Sequence, residues 1–339
     1  MKVYAGIDLH SSNNYVGIIN DQDQRVYQKR LPNQVDHILE ALEPFKESME
    51  GVVVESTYNW YWLVDGLQAH GYKLHLANPS AIKQYEGLKH TDDKWDSFWL
   101  AHMLRLHILP EGYIYPKEER PVRDLLRRRL LFVRHRTAHI LSLQSSITRN
   151  RGYTLSARDI KKLDTPDAAT LFDNPFLTLA AGNSIAAIRF LKLKITEIEK
   201  TVKSHIHVKP EFEYLLTIPG IGTILGLTIM LEVGDIARFP QVGNYSSYCR
   251  CVKAERLSNN KKKGEGNRKN GNKYLSWAYV EAAHFFRRYC PQANAFYQHK
   301  KAKKNGILAI KALSNKLARA PYYIIKDQVP YDPEKLFSQ

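Results

Sequence analysis

The chain contains little cysteine and no long apolar run. Three cysteines in 339 residues give no disulfide framework, which is typical of a protein from the reducing cytoplasm. Cys249 and Cys251 form a C-x-C pair without a second pair or spaced histidines, which argues against a zinc site. The longest apolar stretch, Thr223 to Val233, is too short to span a bilayer, and the N-terminus begins with a strand pattern rather than a signal peptide. We therefore expect a cytoplasmic protein without a membrane partner.

Acidic residues are outnumbered, but they are concentrated at one end. The chain holds 50 Lys/Arg against 34 Asp/Glu, a net charge of +16. Residues 1–100 hold 9 Lys/Arg and 14 Asp/Glu, a net charge of −5, so the remainder carries +21. This split predicts an acidic catalytic head and a basic body that binds a polyanion. A basic surface alone is weak support, since it also suits ribosomal proteins and proteins of anionic membranes.

Residues 1–115 follow the pattern of an α/β domain. The predicted strands are Val3–Asp8, Tyr15–Ile19, Arg25–Tyr27, Gly51–Glu55 and Tyr72–Ala77. The predicted helices are Gln34–Phe45, Tyr58–His70 and one that begins near Asp93. The order strand, strand, strand, helix, strand, helix, strand, helix is that of a ribonuclease H-like fold.

The rest of the chain is predicted to be mostly helical. In residues 116–208, two apolar seams at spacings of three and four suit an antiparallel helix pair, a coiled-coil dimer arm or an ordinary bundle within one protomer. The connection between them, Arg151–Asp173, is polar and is expected to be a loop. Residues 209–339 form a third unit with helices expected at Asn272–Arg288 and Ile307–Ala320.

Four carboxylates occupy positions that suit a metal site. Asp8 and Glu55 each close an apolar strand, so they can lie side by side if their strands are neighbours. Asp93 and Asp96 are three residues apart and share one face of a helix. Several carboxylates within reach of one or two ions are what two-metal phosphoryl chemistry needs, and hard oxygen ligands select Mg²⁺ or Mn²⁺. The alternative for the helical acids is a plain acidic first turn, and Asp92 competes with Asp93.

A glycine-containing turn stands at the start of the third unit. Ile218-Pro219-Gly220-Ile221-Gly222, followed by an apolar helix, predicts a helix-hairpin-helix. Gly220 and Gly222 would let backbone N–H groups approach a phosphate at the N-terminus of the next helix. The alternative is a tight interhelical turn without a ligand.

A basic stretch from Arg250 to Lys273 holds nine Lys/Arg against two Glu. Phosphate contact is its predicted use, and a disordered basic loop is the alternative. The predicted donors are Lys261, Lys262, Lys263, Arg268, Lys269 and Lys273. Ser258 stands just before this run, where residue type alone indicates only a loop serine, because a hydroxyl is a weak nucleophile unless it is activated.

A second basic segment, Asp124–Arg136, contains Arg127 and Arg128. These side chains suit contact with a nucleic-acid backbone. The alternative is the solvated flank of a coiled coil.

Taken together, these motifs resemble the DEDD insertion-sequence transposases, which are serine recombinases guided by a bridge RNA. The resemblance covers most of the chain. It is carried by Gly6-Ile7-Asp8, Val54-Glu55, Thr91-Asp92-Asp93-Lys94-Trp95-Asp96-Ser97, Ile218-Pro219-Gly220-Ile221-Gly222, Leu257-Ser258 and Lys269-Asn270-Gly271-Asn272-Lys273. There are two departures: Asn259 stands where the family often has glycine after its serine, and Asp92-Asp93 leaves the third acid ambiguous.

The resemblance implies a RuvC-like N-terminal domain, a coiled-coil arm and a C-terminal transposase domain. It implies that Asp8, Glu55, Asp93 and Asp96 bind Mg²⁺ or Mn²⁺, and that Ser258 forms a covalent phosphoserine with DNA. The implied partners are donor and target DNA, a structured non-coding guide RNA and further copies of the chain in a dimer or tetramer. In such multimers an active site can combine the acids of one chain with the serine of another.

We therefore expect a DNA recombinase. One alternative is a hydrolytic, metal-dependent RuvC-like nuclease or Holliday-junction resolvase, in which Ser258 is a bystander. The other is a non-enzymatic nucleic-acid-binding protein, in which the carboxylates only cap helices and form salt bridges.

Overall fold

The computed structural model describes residues 1–82, 93–204, 210–253, 256–259, 261–264 and 270–337, without the side chains of Asp93, Arg256, Leu257 and Lys262. The described residues form two compact units, Met1–Lys117 and Glu118–Gln339. The boundary between the two units lies close to the predicted end of the acidic domain at residue 115. The second unit contains both the predicted arm and the predicted C-terminal domain, so the division into three domains stays a prediction.

The first unit is built on a six-stranded mixed sheet. Its elements are β1 (Val3–Leu9), β2 (Asn13–Asn20), β3 (Arg25–Pro32), α1 (Val35–Leu42), a 3₁₀ turn (Glu43–Ser48), β4 (Met49–Glu55), α2 (Tyr61–Ala69), β5 (Leu74–Ala77), α3 (Asp93–Arg105) and β6 (Glu111–Gly112). The sheet order is β3-β2-β1-β4-β5-β6, with β1, β2 and β3 antiparallel and β4 and β5 parallel to β1. The predicted succession of elements is confirmed, and it is consistent with a RuvC-like fold. The two-residue β6 was missed because it is too short to show any periodicity.

Helices cover both faces of the central strands. Val52 and Val54 pack in one cluster with residues of α1 and α2, whereas Val53 packs with Leu100 and Met103 of α3. Alternate residues of β4 therefore face opposite helical layers, which is why this strand is apolar throughout rather than alternating.

Gly6 of β1 allows α3 to lie directly against the sheet. A Cβ atom at Gly6 would lie 2.0 Å from the backbone oxygen of Ser97 and 2.9 Å from the backbone nitrogen of Ala101. No side chain fits in this space, so the two backbones meet here. The contact places the first turns of α3 beside the end of β1.

The second unit begins with two long helices that pack against each other. Its first elements are α4 (Arg120–Arg151), α5 (Ala157–Ile160), a 3₁₀ turn (Thr165–Asp167), α6 (Ala168–Leu171) and α7 (Pro175–Ser204). Leu126, near the start of α4, packs with Val202 near the end of α7, and Ile147 packs with Ile185 in the opposite halves. The helices are therefore an antiparallel pair within one chain, which was one of the predicted arrangements.

The connection between α4 and α7 is more ordered than the sequence indicated. It was expected to be a polar loop, but it contains α5 and α6. Ile160, Leu171 and Phe172 from this connection are buried against Ile147 and Ile185. These few apolar residues are spread too thinly along the chain to produce a helical period.

One helix among the described residues, α7, is long and apolar enough to cross a membrane by length and composition alone. This is weak support for membrane insertion, because a core helix of a soluble protein passes the same test. Part of its apolar surface packs on α4, and part is exposed.

The remainder of the second unit is a helical cluster with one small hairpin. Its elements are α8 (Pro210–Leu216), α9 (Thr223–Val233), a 3₁₀ turn (Ile236–Arg238), α10 (Val242–Tyr248), β7 (Arg256–Ser258), β8 (Lys261–Gly264), α11 (Lys273–Tyr289), α12 (Pro291–Lys303), α13 (Gly306–Asp327) and α14 (Pro333–Phe337). The core is formed largely by α11 and α13, with Leu275, Ala282, Leu313 and Leu317 fully buried.

Both helices predicted in this part are confirmed, and α12 was missed. The predicted end of α13 at Ala320 is wrong, because the helix continues through Pro321 to Asp327. Proline removes one helical hydrogen bond, but Pro321 is buried and the next residue, Tyr322, donates its hydroxyl to the carbonyl oxygens of Phe239 and Pro240. Tertiary contacts therefore hold the last turns of the helix.

Gly6→Ala should weaken the first unit, because the added Cβ meets backbone atoms that cannot rotate away. We expect the free energy of unfolding to fall by about 2 kcal/mol or more, the range for an overpacked core. Urea unfolding followed by tryptophan fluorescence reports mainly on this unit, which holds Trp60, Trp62, Trp95 and Trp99 of the five tryptophans. In the control Gly112→Ala the Cβ meets its nearest neighbour, the Leu76 oxygen, at 3.4 Å. Equal stability of the two variants would contradict the prediction.

Candidate active site

Two of the predicted acids lie at the ends of neighbouring strands. β1 and β4 are parallel and adjacent, with Ile7 paired to Val54, so the next residues along each strand are Asp8 and Glu55. Asp8 is buried, with 3% of its surface exposed. The strands are therefore neighbours, which is the condition under which the two acids were expected to lie side by side.

Asp96 joins this pair from α3. Burial, a hydrogen bond with Glu55 and the negative charges of Glu55 and Asp96 together raise the pKa of Asp8 to about 7, while the charge of His10 opposes them. Three carboxylates from β1, β4 and α3 therefore influence one another at the same edge of the sheet. Burial disfavours the charged form of the Asp8 carboxyl group, and the neighbouring negative charges disfavour it as well. Strongly shifted pKa values of this kind are concentrated at functional sites.

Asp93 opens α3, but its side chain is outside the described set, and Asp92 lies outside the described residues altogether. The ambiguity between these two acids therefore stays as the sequence left it.

His10 was not identified from the sequence. Its Nε2 atom lies 3.1 Å from Oδ2 of Asp8. The backbone oxygen of His10 accepts hydrogen bonds from Asn33 Nδ2 at 2.9 Å and from Asn59 Nδ2 at 3.0 Å, which fixes this loop beside the acids. The available signal was its spacing, because residues i and i+2 at the end of a strand lie on one face.

The acids suit a divalent metal ion by their chemistry. Asp8 Oδ2 is buried and has no hydrogen-bond donor among the described residues, since its contact with His10 does not have hydrogen-bond geometry. Clustered carboxylate oxygens are the ligands that Mg²⁺ and Mn²⁺ prefer. Among the side chains that the structure describes, which exclude Asp93, no group of three potential ligands is already in coordinating geometry. The acids therefore match such an ion in ligand type, and metal binding by them stays a prediction.

Ser258 lies at the exposed end of a hairpin. It is the last residue of β7 and pairs with Lys261, the first residue of β8. Asn259, the next residue, has a φ of 50°, in the left-handed region that asparagine and glycine tolerate best. Asparagine therefore supplies the same backbone conformation as the glycine expected at this position.

The predicted phosphate donors are placed unevenly. Lys261 and Lys263 are exposed on β8, and Lys273 is exposed at the start of α11. The side chain of Lys262 is outside the described set, and Arg268 and Lys269 lie outside the described residues. Their contacts with nucleic acid stay predictions.

The glycine turn between α8 and α9 has one packed and one open glycine. Gly220 has a φ of 94°, and a Cβ there would lie 2.6 Å from the backbone nitrogen of Phe286 on α11. Packing alone therefore explains Gly220, as expected for an interhelical turn without a ligand. Gly222 precedes α9 and has no atom within 4 Å of a Cβ placed there, so this end of α9 is open. The helix-hairpin-helix and its phosphate contact stay predictions.

Arg127 and Arg128 of α4 have different surroundings. Arg127 Nε and Nη2 donate to the two carboxylate oxygens of buried Glu232 at 2.6 and 2.7 Å. Burial lowers the pKa of Arg127, but the hydrogen bond and charge of Glu232 outweigh it and raise the pKa above its ordinary value. Arg127 thus has a structural partner within the chain, whereas Arg128 is exposed. Nucleic-acid contact by either residue stays a prediction.

Asp8→Asn should stabilise the metal-free protein at high pH. Because folding raises the Asp8 pKa from 3.8 to about 7, the ionised form is disfavoured in the folded state. The resulting loss of stability is absent below pH 4 and grows as the pH rises to 7. We expect a gain on the order of 2 kcal/mol at pH 8 and none at pH 4, measured by denaturation in chelator.

The same variant tests metal binding. Adding Mn²⁺ at pH 8 should raise the melting temperature of the wild type, since a ligand that binds only the folded state stabilises it. It should leave Asp8→Asn nearly unchanged. Exposed Glu47→Gln serves as the control and should respond as the wild type does. An equal response of Asp8→Asn would argue against Asp8 as a ligand.

Two protein-family models match this chain, one over the residues with the acids and one over the residues with Ser258. A model for transposases of the DEDD type from the IS110 group matches residues 5–149, which contain Asp8, Glu55, Asp93 and Asp96. A second model, described as the transposase IS116/IS110/IS902 family, matches residues 212–298, which contain Ser258. No curated protein matches the chain. The two matches together span more than half of the chain, and the protein therefore belongs to the IS110 family of DEDD transposases.

Proposed function

We propose that this transposase cuts and rejoins DNA through a covalent bond between Ser258 and the DNA backbone, assisted by a divalent metal ion. Asp8, Glu55, Asp93 and Asp96 would hold the ion. The observation that supports the proposal is the convergence of Asp8, Glu55 and Asp96 at one edge of the sheet. There burial, a hydrogen bond with Glu55 and repulsion from Glu55 and Asp96 together raise the Asp8 pKa to about 7. A bound cation would relieve that repulsion.

In the proposed step, the Ser258 hydroxyl oxygen attacks the phosphorus of a phosphodiester. The hydroxyl proton passes to a base, the bond from phosphorus to the departing strand breaks, and the departing oxygen takes up a proton. The phosphoserine ester replaces one ester by another, so a strand-end hydroxyl can reverse the step and join DNA again. Bound Mg²⁺ or Mn²⁺ would supply Lewis-acid stabilisation of charge on the phosphoryl oxygens.

The position of Ser258 supports its assignment as the nucleophile. The residue is exposed at the end of β7, and exposed Lys261 and Lys263 lie on the paired strand. Cationic side chains beside a hydroxyl attract the phosphate backbone and favour its close approach.

We further propose a structured guide RNA as a second nucleic-acid partner, acting in the cytoplasm. Residues beyond 100 carry a net charge of +21, more than a short DNA contact requires. The sequence offers no motif that reads bases, so base pairing by an RNA is a fitting source of sequence information. All three cysteines are free thiols, which suits a reducing compartment.

An exposed apolar seam on α7 supports assembly of several copies. Phe176, Leu179, Phe190 and Leu193 are 80%, 64%, 57% and 68% exposed. Their spacings of 3, 11 and 3 residues place them at two positions of one heptad frame, the pattern of a coiled-coil seam. The opposite side of α7 is occupied by α4. We propose that the seam pairs with the same seam of a second chain.

Ser258→Ala should abolish the covalent protein–DNA adduct and all strand exchange. The adduct is detected on a denaturing gel after incubation with Mg²⁺, labelled insertion-end DNA and RNA transcribed from the flanking sequence. Omitting the RNA should reduce adduct formation sharply in the wild type. Full cleavage activity of Ser258→Ala would favour the hydrolytic nuclease, with metal-bound water as the nucleophile. Exchange unaffected by Asp8→Asn would favour a non-enzymatic role for the acids.

Phe190→Glu combined with Leu193→Glu should reduce the oligomeric state. Two charges in an apolar seam cannot be buried without partners, so the assembly should lose at least one association step. Light scattering after size exclusion would measure the mass. Ile307→Glu replaces another exposed apolar residue, 72% exposed on α13, and should leave the mass unchanged. An unchanged mass in the double variant would contradict the proposed seam.

A further inference from the structure

The segment that carries Ser258, residues 251–269 (the serine loop), is closed at its base. Arg250 Nε donates to the backbone oxygens of Asn270 at 3.1 Å and Gly271 at 3.0 Å. The backbone nitrogen of Asn272 donates to the oxygen of Tyr248 at 2.6 Å. The chain entering the loop is thus bonded directly to the chain leaving it.

Gly271 makes this closure possible. Its φ is 87°, and a Cβ at this position would lie 2.5 Å from the oxygen of Tyr248. The two backbone segments are therefore closer than any side chain permits. The base of the loop is therefore a fixed crossing point of the chain.

Glu232 is hydrogen-bonded to Asn272, the residue at which the chain leaves this crossing point. Glu232 lies in α9 and is 1% exposed, and one of its oxygens accepts a hydrogen bond from Asn272 Nδ2 at 2.7 Å. Asn272 Oδ1 accepts from the backbone nitrogens of Tyr274 at 2.8 Å and Leu275 at 3.1 Å, which caps α11. Asn272 therefore starts α11 and ties the end of the serine loop to Glu232 at the same time.

Arg127 of α4 also donates to Glu232, through the two bonds from Nε and Nη2 given above. A carboxylate this deeply buried is tolerated only when its oxygens are fully bonded. Arg127 and Asn272 supply three of these bonds. The loss of either donor leaves a buried charge with incomplete partners, so the network has one favourable arrangement.

We propose that Glu232 is a positioning residue for the reaction, because through Asn272 it fixes the base of the serine loop to Arg127 and so to α4. The proposal rests on the proposed role of Ser258 as nucleophile. Its consequence is that the orientation of Ser258 is coupled to the position of α4 at Arg127. A displacement of α4, as on nucleic-acid binding along that helix, would reach the serine loop through one buried carboxylate.

Asn272→Ser separates this role from general stability. Serine caps helices as well as asparagine does, but it is too short to reach Glu232. We expect adduct formation at saturating DNA to slow at least tenfold, while the dissociation constant for DNA changes less than twofold. Glu232→Gln removes the charge that holds Arg127. It should likewise slow adduct formation while leaving the dissociation constant for DNA nearly unchanged.

The matched control is Glu199→Gln. Glu199 of α7 accepts hydrogen bonds from Arg129 of α4 at 2.6 and 2.8 Å, so this is a second Arg–Glu pair on the same helix without a link to the serine loop. It should react at the wild-type rate. Wild-type rates in both Asn272→Ser and Glu232→Gln would overturn the proposal.

Hydrogen exchange at the backbone amide of Asn272 tests how firmly the base of the serine loop is held, and it does not require the reaction with DNA. Exchange should be at least tenfold faster in Glu232→Gln and unchanged in Glu199→Gln. If the wild type forms no adduct, the proposed function fails, and the exchange measurement alone decides the role of Glu232. Unchanged exchange in Glu232→Gln would then overturn that role.

Discussion

The candidate active site depends on the direct contact between the backbones of β1 and α3 at Gly6. Asp8 and Glu55 are brought together by strand pairing alone, which is a local property of the parallel sheet. Asp96 belongs to a helix that could pack at many distances from that sheet. Only a residue without a side chain on β1 lets α3 come near enough for Asp96 to influence Asp8. The glycine two residues before the first acid therefore has a geometric role in the charge cluster, although it carries no charge itself.

The cluster gathers like charges in a place where water screens them poorly. Such an arrangement opposes folding, and natural proteins tolerate it mainly where function requires it. The buried acid of the second unit, Glu232, has different surroundings. Glu232 accepts hydrogen bonds from Arg127 and Asn272, whereas Asp8 keeps a buried oxygen without a hydrogen-bond donor among the described residues. The two buried carboxylates therefore differ in their hydrogen-bond partners: Glu232 is bonded to cationic and amide donors, whereas Asp8 lies beside other acids.

The sequence predicted what depends on local pattern. The strands and their succession along the chain, the places of Asp8 and Glu55 at strand ends, and the long helices α4 and α7 all follow from periodicities of two and 3.6 residues. It could not predict contacts between distant segments, such as the pair of Arg127 with Glu232, 105 residues away. The same limit applies to Gly220, whose packing against Phe286 of α11 leaves no trace in the turn motif itself. It applies also to Pro321, which ends a helix by local rules but is overruled here by buried contacts.

The turn after Ser258 bears on how this family can vary in sequence. The position occupied by Asn259 demands a left-handed backbone, with a φ of 50° here, and makes no visible demand on side-chain chemistry. Glycine and asparagine both suit this backbone conformation, while β-branched residues are disfavoured by sterics. A related chain that lacks the familiar serine–glycine pair can thus retain the same hairpin, and searches that insist on the dipeptide would overlook it.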